Sequence, residues 1–227
     1  MPERTPIAIY DLDRTVTFRA TYTLFLLRTA FRLAPWRLAA APLVALLMLL
    51  HVVGIVKRDR LKGLMWGFML GPVSREDLTA AAEAFATHMI ETNVRPGAWL
   101  QIARDRREGA MLVLATASHE IYAGPLARML KFDAIVATQA EVRADGRIGP
   151  RLAGPNVYGR TKLVALERFL DERGLERAAV ALTFYSDSSS DRHVLEWVDC
   201  PVAVNPPRKL WRLAASRGWP IVDWRRP

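Results

Sequence analysis

Ile7-Ala8-Ile9-Tyr10-Asp11-Leu12-Asp13-Arg14-Thr15 is the stretch on which the fold turns. Four apolar residues that run into acids read as a buried strand of a parallel sheet. Residues two apart in an extended chain point to the same side, about 6–7 Å from one another. Asp11 and Asp13 therefore form a carboxylate pair at the carboxyl end of a buried strand, where open α/β sheets bind ligands. One carboxylate can attack while the other moves protons. A solvated acidic turn capping a helix has the same short signature, so the pair alone does not decide the chemistry.

Moving outward, further short apolar runs at residues 111–115, 134–137, 180–185 and 202–204 read as parallel strands. Helical patterns at 98–108, 121–130, 161–173 and 191–198 alternate with them. Strands alternating with helices predict an α/β fold, a doubly wound Rossmann-like parallel sheet. The alternation is interrupted once. Residues 17–92 contain only helical patterns, broken at Pro35, Gly54, Gly63 and Gly71-Pro72, and the α/β pattern resumes after Arg95-Pro96-Gly97. The expected organisation is a catalytic core of residues 1–15 and 96–227 with an all-helical cap inserted at 16–95. Asp145-Gly146 marks a hairpin turn.

The chain has 227 residues, 51% of them hydrophobic, and a formal net charge of +9. Disorder is excluded by that apolar content. The charge implies an anionic partner. Nucleic acid is disfavoured, because the basic residues flank apolar runs rather than forming a polar stripe with stacking aromatics. One cysteine, Cys200, excludes an internal disulfide framework and is expected to be buried and inert. The first apolar run is too short for a secretory signal and ends in acids, so the catalytic part is expected in the cytoplasm.

Other strand ends add polar groups. The run at 180–185 leads into Ser186-Asp187-Ser188-Ser189-Ser190-Asp191. Asp187 can reach a metal beside Asp11, and Asp191 either orients it or caps the next helix. Thr116 and Ala117 follow a third run, where a hydroxyl and free N–H groups can hold a phosphate oxygen. Lys162 opens a helix, an unfavourable place for a cation unless an anion compensates.

An Asp pair, a Thr, a Lys and a second Asp pair, in that order and each after the expected element, resemble the four motifs of the haloacid dehalogenase superfamily. The insertion after the first motif is similar to the type 1 cap of its phosphoserine-phosphatase-like branch. The resemblance implies Asp11 as nucleophile and magnesium ligand, and Asp13 as general acid/base with its carbonyl on the metal. It further implies Thr116 and Ala117 as phosphate binders, Lys162 as the lysine that steadies nucleophile and phosphate, Asp187 as the second carboxylate ligand and Asp191 as its outer partner. Mg2+ is the implied cofactor. Arg14 stands where the family often has Gly, and Ser190 where many relatives have Asn.

Residues 38–56 are nineteen consecutive residues without a charge, about 28 Å long as one helix. Residues 16–72 carry eight basic groups against one acid, Asp59. A single membrane crossing would separate Asp11 from Thr116, Lys162 and Asp187, so the segment is expected to lie in or dip into an anionic membrane surface, or to be a core helix of a soluble cap. The apolar insertion, Trp66-Gly67, the residues 185–188 and the later Asp191 look similar to the bacterial phosphatidylglycerophosphate phosphatases of the superfamily. That implies a lipid headgroup phosphate as substrate and a peripheral or monotopic location at the cytoplasmic face of the inner membrane. A soluble enzyme for a small metabolite such as phosphoserine, a phosphotransferase, and a non-catalytic membrane-binding module remain the alternatives.

Overall fold

The computed structural model describes residues 4–226. Six parallel strands form the central sheet in the order β3-β2-β1-β6-β7-β8: β1 Thr5–Tyr10, β2 Met111–His119, β3 Ala134–Thr138, β6 Val180–Ser186, β7 Cys200–Val204 and β8 Ile221–Val222. The doubly wound α/β fold expected from the strand pattern is the fold found. β2 runs on to His119, past the apolar run that announced it, with a register shift between Thr116 and His119.

The alternation of side chains along β1 explains why its apolar run is unbroken. Ile7 and Ile9 face one buried cluster, with Val113, Leu182 and Phe184. Ala8 and Tyr10 face a second, with Leu112, Leu114 and Tyr185. Helices α7 (Arg160–Asp171) and α9 (Arg208–Arg217) cover the first face through Leu166, Phe169, Leu210 and Ala214. Helices α5 (Pro96–Arg107) and α6 (Glu120–Met129) cover the second through Ala98, Ile102, Tyr122 and Leu126. A parallel sheet covered on both faces needs apolar residues at every strand position. The chain order reverses at β1, between β2 and β6, and this switch point is where open α/β sheets place their ligands.

The insertion leaves and returns through a short stem. Thr17 bridges Val94, Phe18 N donates to Asn93 O (2.8 Å) and Arg95 N donates to Val16 O (2.9 Å). Between these ends lie α1 (Thr21–Leu33), α2 (Ala41–Val52), α3 (Arg58–Met69) and α4 (Arg75–Thr92). Ser74 caps α4, accepting from Asp77 N at 3.1 Å. Phe25 of α1 stacks on Tyr122 of α6 (centroids 4.4 Å apart) and meets Phe85 of α4 edge-on (5.3 Å). The insertion thus shares one apolar cluster with the sheet's helices. The hairpin predicted at Asp145-Gly146 pairs β4 (Ala140–Val142) with β5 (Ile148–Leu152), and Gly146 supplies the positive φ of its turn.

Two expectations are corrected. Residues 38–56 are not one α-helix: a six-residue 3-10 helix over Pro35–Ala40 runs directly into α2, which spans twelve residues and ends before Gly54 at φ +84°. Nor is the run buried, since Val44 is the buried residue of α2 while Leu46, Leu49, Val52 and Val53 are exposed. Proline at 42 starts the helix and glycine at 54 ends it, so the chain doubles back instead of entering the core. Cys200 is exposed rather than buried, because it opens β7 at the amino-terminal rim of the sheet.

Candidate active site

Asp11 leaves β1 in extended conformation, its N–H still bonded to Tyr185 O (3.0 Å), so the strand ladder fixes its direction. The chain then turns sharply. Arg14 has φ +65°, the left-handed region that favours glycine, which accords with the family's preference at this place. The turn is held from outside: Arg95 donates to Arg14 O at 3.1 and 3.2 Å and to Thr17 O at 3.2 Å.

The structure brings all but one of the dispersed residues singled out in the sequence to one cavity of about 300 Å³; Thr116 lies buried and is not among those that line it. Asp11, Asp13, Ala117, Lys162, Asp187 and Asp191 line it, together with Arg14, Arg58 and Tyr158. Lys162 Nζ is buried between two carboxylates, donating to Asp11 Oδ1 (2.7 Å) and Asp191 Oδ2 (2.9 Å). Burial alone would lower the lysine's pKa, but Asp11 and Asp191 outweigh it and hold the ammonium charged. Burial pushes the Asp11 carboxyl up, an effect Lys162 only partly offsets. Asp191 also accepts from Ser186 Oγ (2.8 Å), so it holds the lysine from behind and does not cap a helix with its side chain.

Thr15, to which no role was attached in the sequence, joins the two strand ends. Its Oγ1 stands 3.1 Å from Asp11 Oδ2 and 3.2 Å from Asp187 Oδ1, and it accepts from Asp187 N at 2.9 Å. The position, four residues after Asp11 and inside the sharp turn, was the available signal. Burial pushes Asp187 up to about 6, partly offset by the Thr15 hydrogen bond. Two carboxylates that share one hydroxyl and are driven towards neutrality by burial suit a divalent cation.

Among the described residues no three His, Cys, Asp or Glu side chains form a metal cluster. Magnesium does not require one: it takes one or two carboxylates and keeps several waters. Asp11 and Asp187, with the Asp13 main-chain carbonyl, are the donors this chain offers.

Asp13 projects towards the insertion. Its Oδ1 accepts from Thr21 N (2.6 Å) and Thr21 Oγ1 (2.7 Å), which satisfies the first turn of α1, and its Oδ2 accepts from Ser118 Oγ (2.8 Å). Thr116 is fully buried, and its Oγ1 accepts from Ser118 N at 3.0 Å, leaving the hydroxyl proton for another acceptor. Ser188 and Ser190 hydroxyls pair with each other at 2.7 Å on the cavity wall.

Residues 8–196 match the haloacid dehalogenase-like hydrolase family. A histidinol-phosphatase of Neisseria meningitidis serogroup C is 28% identical over 162 residues, covering 70% of this chain and 73% of that protein. The phosphoserine phosphatase SerB1 of Mycobacterium tuberculosis is 36% identical over 117 residues, but the chain spans only 37% of its length. Among solved structures, a protein of unknown function from Bordetella pertussis Tohama I superposes with a TM-score of 0.86 at 29% identity, covering 97% of this chain and 99% of that one. A phospho-aspartyl intermediate analogue of phosphoserine phosphatase superposes with a TM-score of 0.65 at 14% identity over 99% and 94% of the two chains, a likeness of fold. With 189 residues of the chain spanned by the match, the chain belongs to the haloacid dehalogenase-like hydrolase family.

Proposed function

We propose that this chain is a magnesium-dependent phosphomonoester hydrolase that works through an aspartyl-phosphate at Asp11. The observation that carries the reading is the buried chain Asp11–Lys162–Asp191, with Asp187 joined to Asp11 through Thr15. An Asp11 oxygen attacks phosphorus, and the bond from phosphorus to the alcohol oxygen breaks. Asp13 gives the leaving oxygen its proton, then takes one from the water that cleaves the aspartyl-phosphate and releases phosphate. Lys162 offsets the repulsion between carboxylate and phosphate, and the Thr116 hydroxyl and Ala117 N–H take up charge on the phosphoryl oxygens. Magnesium, held by Asp11, Asp187 and the Asp13 carbonyl, supplies further positive charge when bound.

The first reading of the substrate is a small phosphorylated metabolite. A cavity of about 300 Å³ suits one, and the named relatives include a histidinol-phosphatase and a phosphoserine phosphatase. The second is the lipid headgroup phosphate expected from the sequence, acted on at the cytoplasmic face of a membrane. It is favoured by one observation, the exposed apolar α2 set among basic residues.

The deciding experiment offers the protein histidinol phosphate, phosphoserine and phosphatidylglycerophosphate in mixed micelles, with magnesium or with chelator. We expect magnesium-dependent phosphate release that Asp11→Asn abolishes, by at least about a thousandfold. Release by the soluble compounds alone removes the lipid reading, and release from the lipid alone removes the metabolite reading. Undiminished turnover by Asp11→Asn removes the aspartyl-phosphate.

A further inference from the structure

Lys62 belongs to α3 of the insertion, yet its side chain is buried against the catalytic core. Its Nζ donates to the carbonyl oxygen of Ala117 and to Asn156 Oδ1 (2.9 Å). Both acceptors are uncharged, so the ammonium is kept from water without an ion pair, a costly arrangement. Burial, with Arg58 nearby, pushes its pKa down to about 8. The hydrolytic chemistry above gives it no part.

Its surroundings are ordered around it. Asn156 accepts from both Lys62 and Thr138 Oγ1 (3.0 Å) and donates to Asp59 Oδ1 (2.7 Å), which fixes the orientation of its amide. Tyr22 of α1 donates to the Lys62 carbonyl at 2.7 Å. Asp59, Lys62 and Tyr22 come from the insertion; Ala117, Thr138 and Asn156 come from the core.

The contact falls on one peptide unit of the phosphate loop. The Ala117 carbonyl is held by Lys62, and the N–H of the same peptide, that of Ser118, is held by Thr116 Oγ1. A carbonyl at the rim of an anion site repels phosphate when it turns inward. Engaged by an ammonium from the insertion, it is turned away, and the preceding N–H of Ala117 is left for the anion.

We propose that Lys62 is a positioning residue that sets the phosphate loop through the Ala117 carbonyl, so that tight phosphate binding depends on the insertion being docked on the core. The proposal rests on Thr116 and Ala117 binding phosphate, as argued above.

The test is the affinity of the full chain for inorganic phosphate with magnesium, by calorimetry, alongside its inhibition constant against p-nitrophenyl phosphate hydrolysis. Lys62→Met keeps the apolar stem and removes the donor. It is expected to weaken phosphate and raise KM by about tenfold or more, the effect of losing a charged hydrogen bond, with kcat changed far less. Lys62→Arg is expected to restore part of the loss. Asp59→Ala, at an exposed position that frees the Asn156 amide, is expected to weaken phosphate severalfold and serves if Lys62→Met does not fold. Unchanged phosphate affinity in folded Lys62→Met or in Asp59→Ala overturns the proposal, as does a loss confined to kcat. A wild type that neither binds phosphate nor turns over the ester overturns the phosphatase reading, and this inference with it.

Discussion

His119 closes β2 and is buried between Tyr22 (centroids 5.4 Å) and Trp66 (5.3 Å), with neither ring nitrogen partnered among the described residues. Burial, with Lys62 adding to it, pushes its pKa from 6.5 down to about 3. A folded pKa below the unfolded one gives stability that is complete above pH 6.5 and lost as the pH falls towards 3. Each unit below 6.5 costs about 1.4 kcal/mol, so roughly 2 kcal/mol is gone at pH 5. His119→Phe, which keeps a ring between Tyr22 and Trp66, should remove this acid sensitivity. Thermal melts from pH 7 to pH 5 should show the variant gaining on the wild type as the pH falls, and parallel curves would refute the assignment. Asp11, Asp13, Lys162 and Asp187 stood out because each follows a strand or opens a helix, and Thr116 because it ends the apolar run of β2. Thr15, Ser118 and Lys62 were not, because their partners are 172, 105 and 55 residues away in sequence.

The joints between elements are where glycine matters most. Gly97 begins α5 directly beneath the C-terminal segment, and a Cβ there would lie 2.6 Å from Trp224 Cα and 2.8 Å from its side chain. Trp224 is itself buried against Tyr10 and Tyr185 of the neighbouring strands, with centroids 6.1 and 5.2 Å away, and has no room to retreat. Gly97→Ala should therefore destabilise the fold by about 1–3 kcal/mol or more, read as a fall in denaturant midpoint with unchanged slope. In the sequence, Arg95-Pro96-Gly97 signalled only a break in pattern. Long elements with strong periodicity were read to within one or two residues at most ends, whereas α8, read as 191–198, forms only Arg192–Leu195. Its apolar residues fit a helix or a turn equally, and packing against β6 and β7 settles the shorter form.

Across the whole molecule, the carboxylates of the cavity gather at the switch point, while residues 16–72 of the insertion carry eight basic groups against one acid and present Trp36, Leu46, Leu49, Val52, Val53 and Ile55 to solvent. Pro35–Val52, a short 3-10 helix running into α2, is long and apolar enough to cross a membrane by length and composition alone, but a single crossing would part Asp11 from Thr116, Lys162 and Asp187, so the exposed face suits shallow insertion instead. Exposed apolar surface of this extent on a globular chain marks an interaction face. If that face meets lipid, the protein should float with vesicles containing anionic lipid, much less with zwitterionic ones, and detach as salt rises. Leu49→Asp with Val52→Asp should abolish flotation and leave turnover of soluble esters intact. A dimer in solution that the same pair breaks, with no flotation, would assign the face to self-association.

The sequence by itself determined the sheet and the strand ends at which the acids stand. Those follow from local rules: an unbroken apolar run means a strand covered on both faces, and acids at its carboxyl end point to where such sheets bind. Only the tertiary structure decided what the insertion does with its residues. The nineteen uncharged residues looked the same as a core helix or a surface helix, because composition carries no information about which neighbours are present. The fold left α2 largely outside, packed against α3 and the 3-10 helix before it, and buried Lys62 and His119. Burial is a property of the packed whole, and it is burial that moved their protons and set their partners.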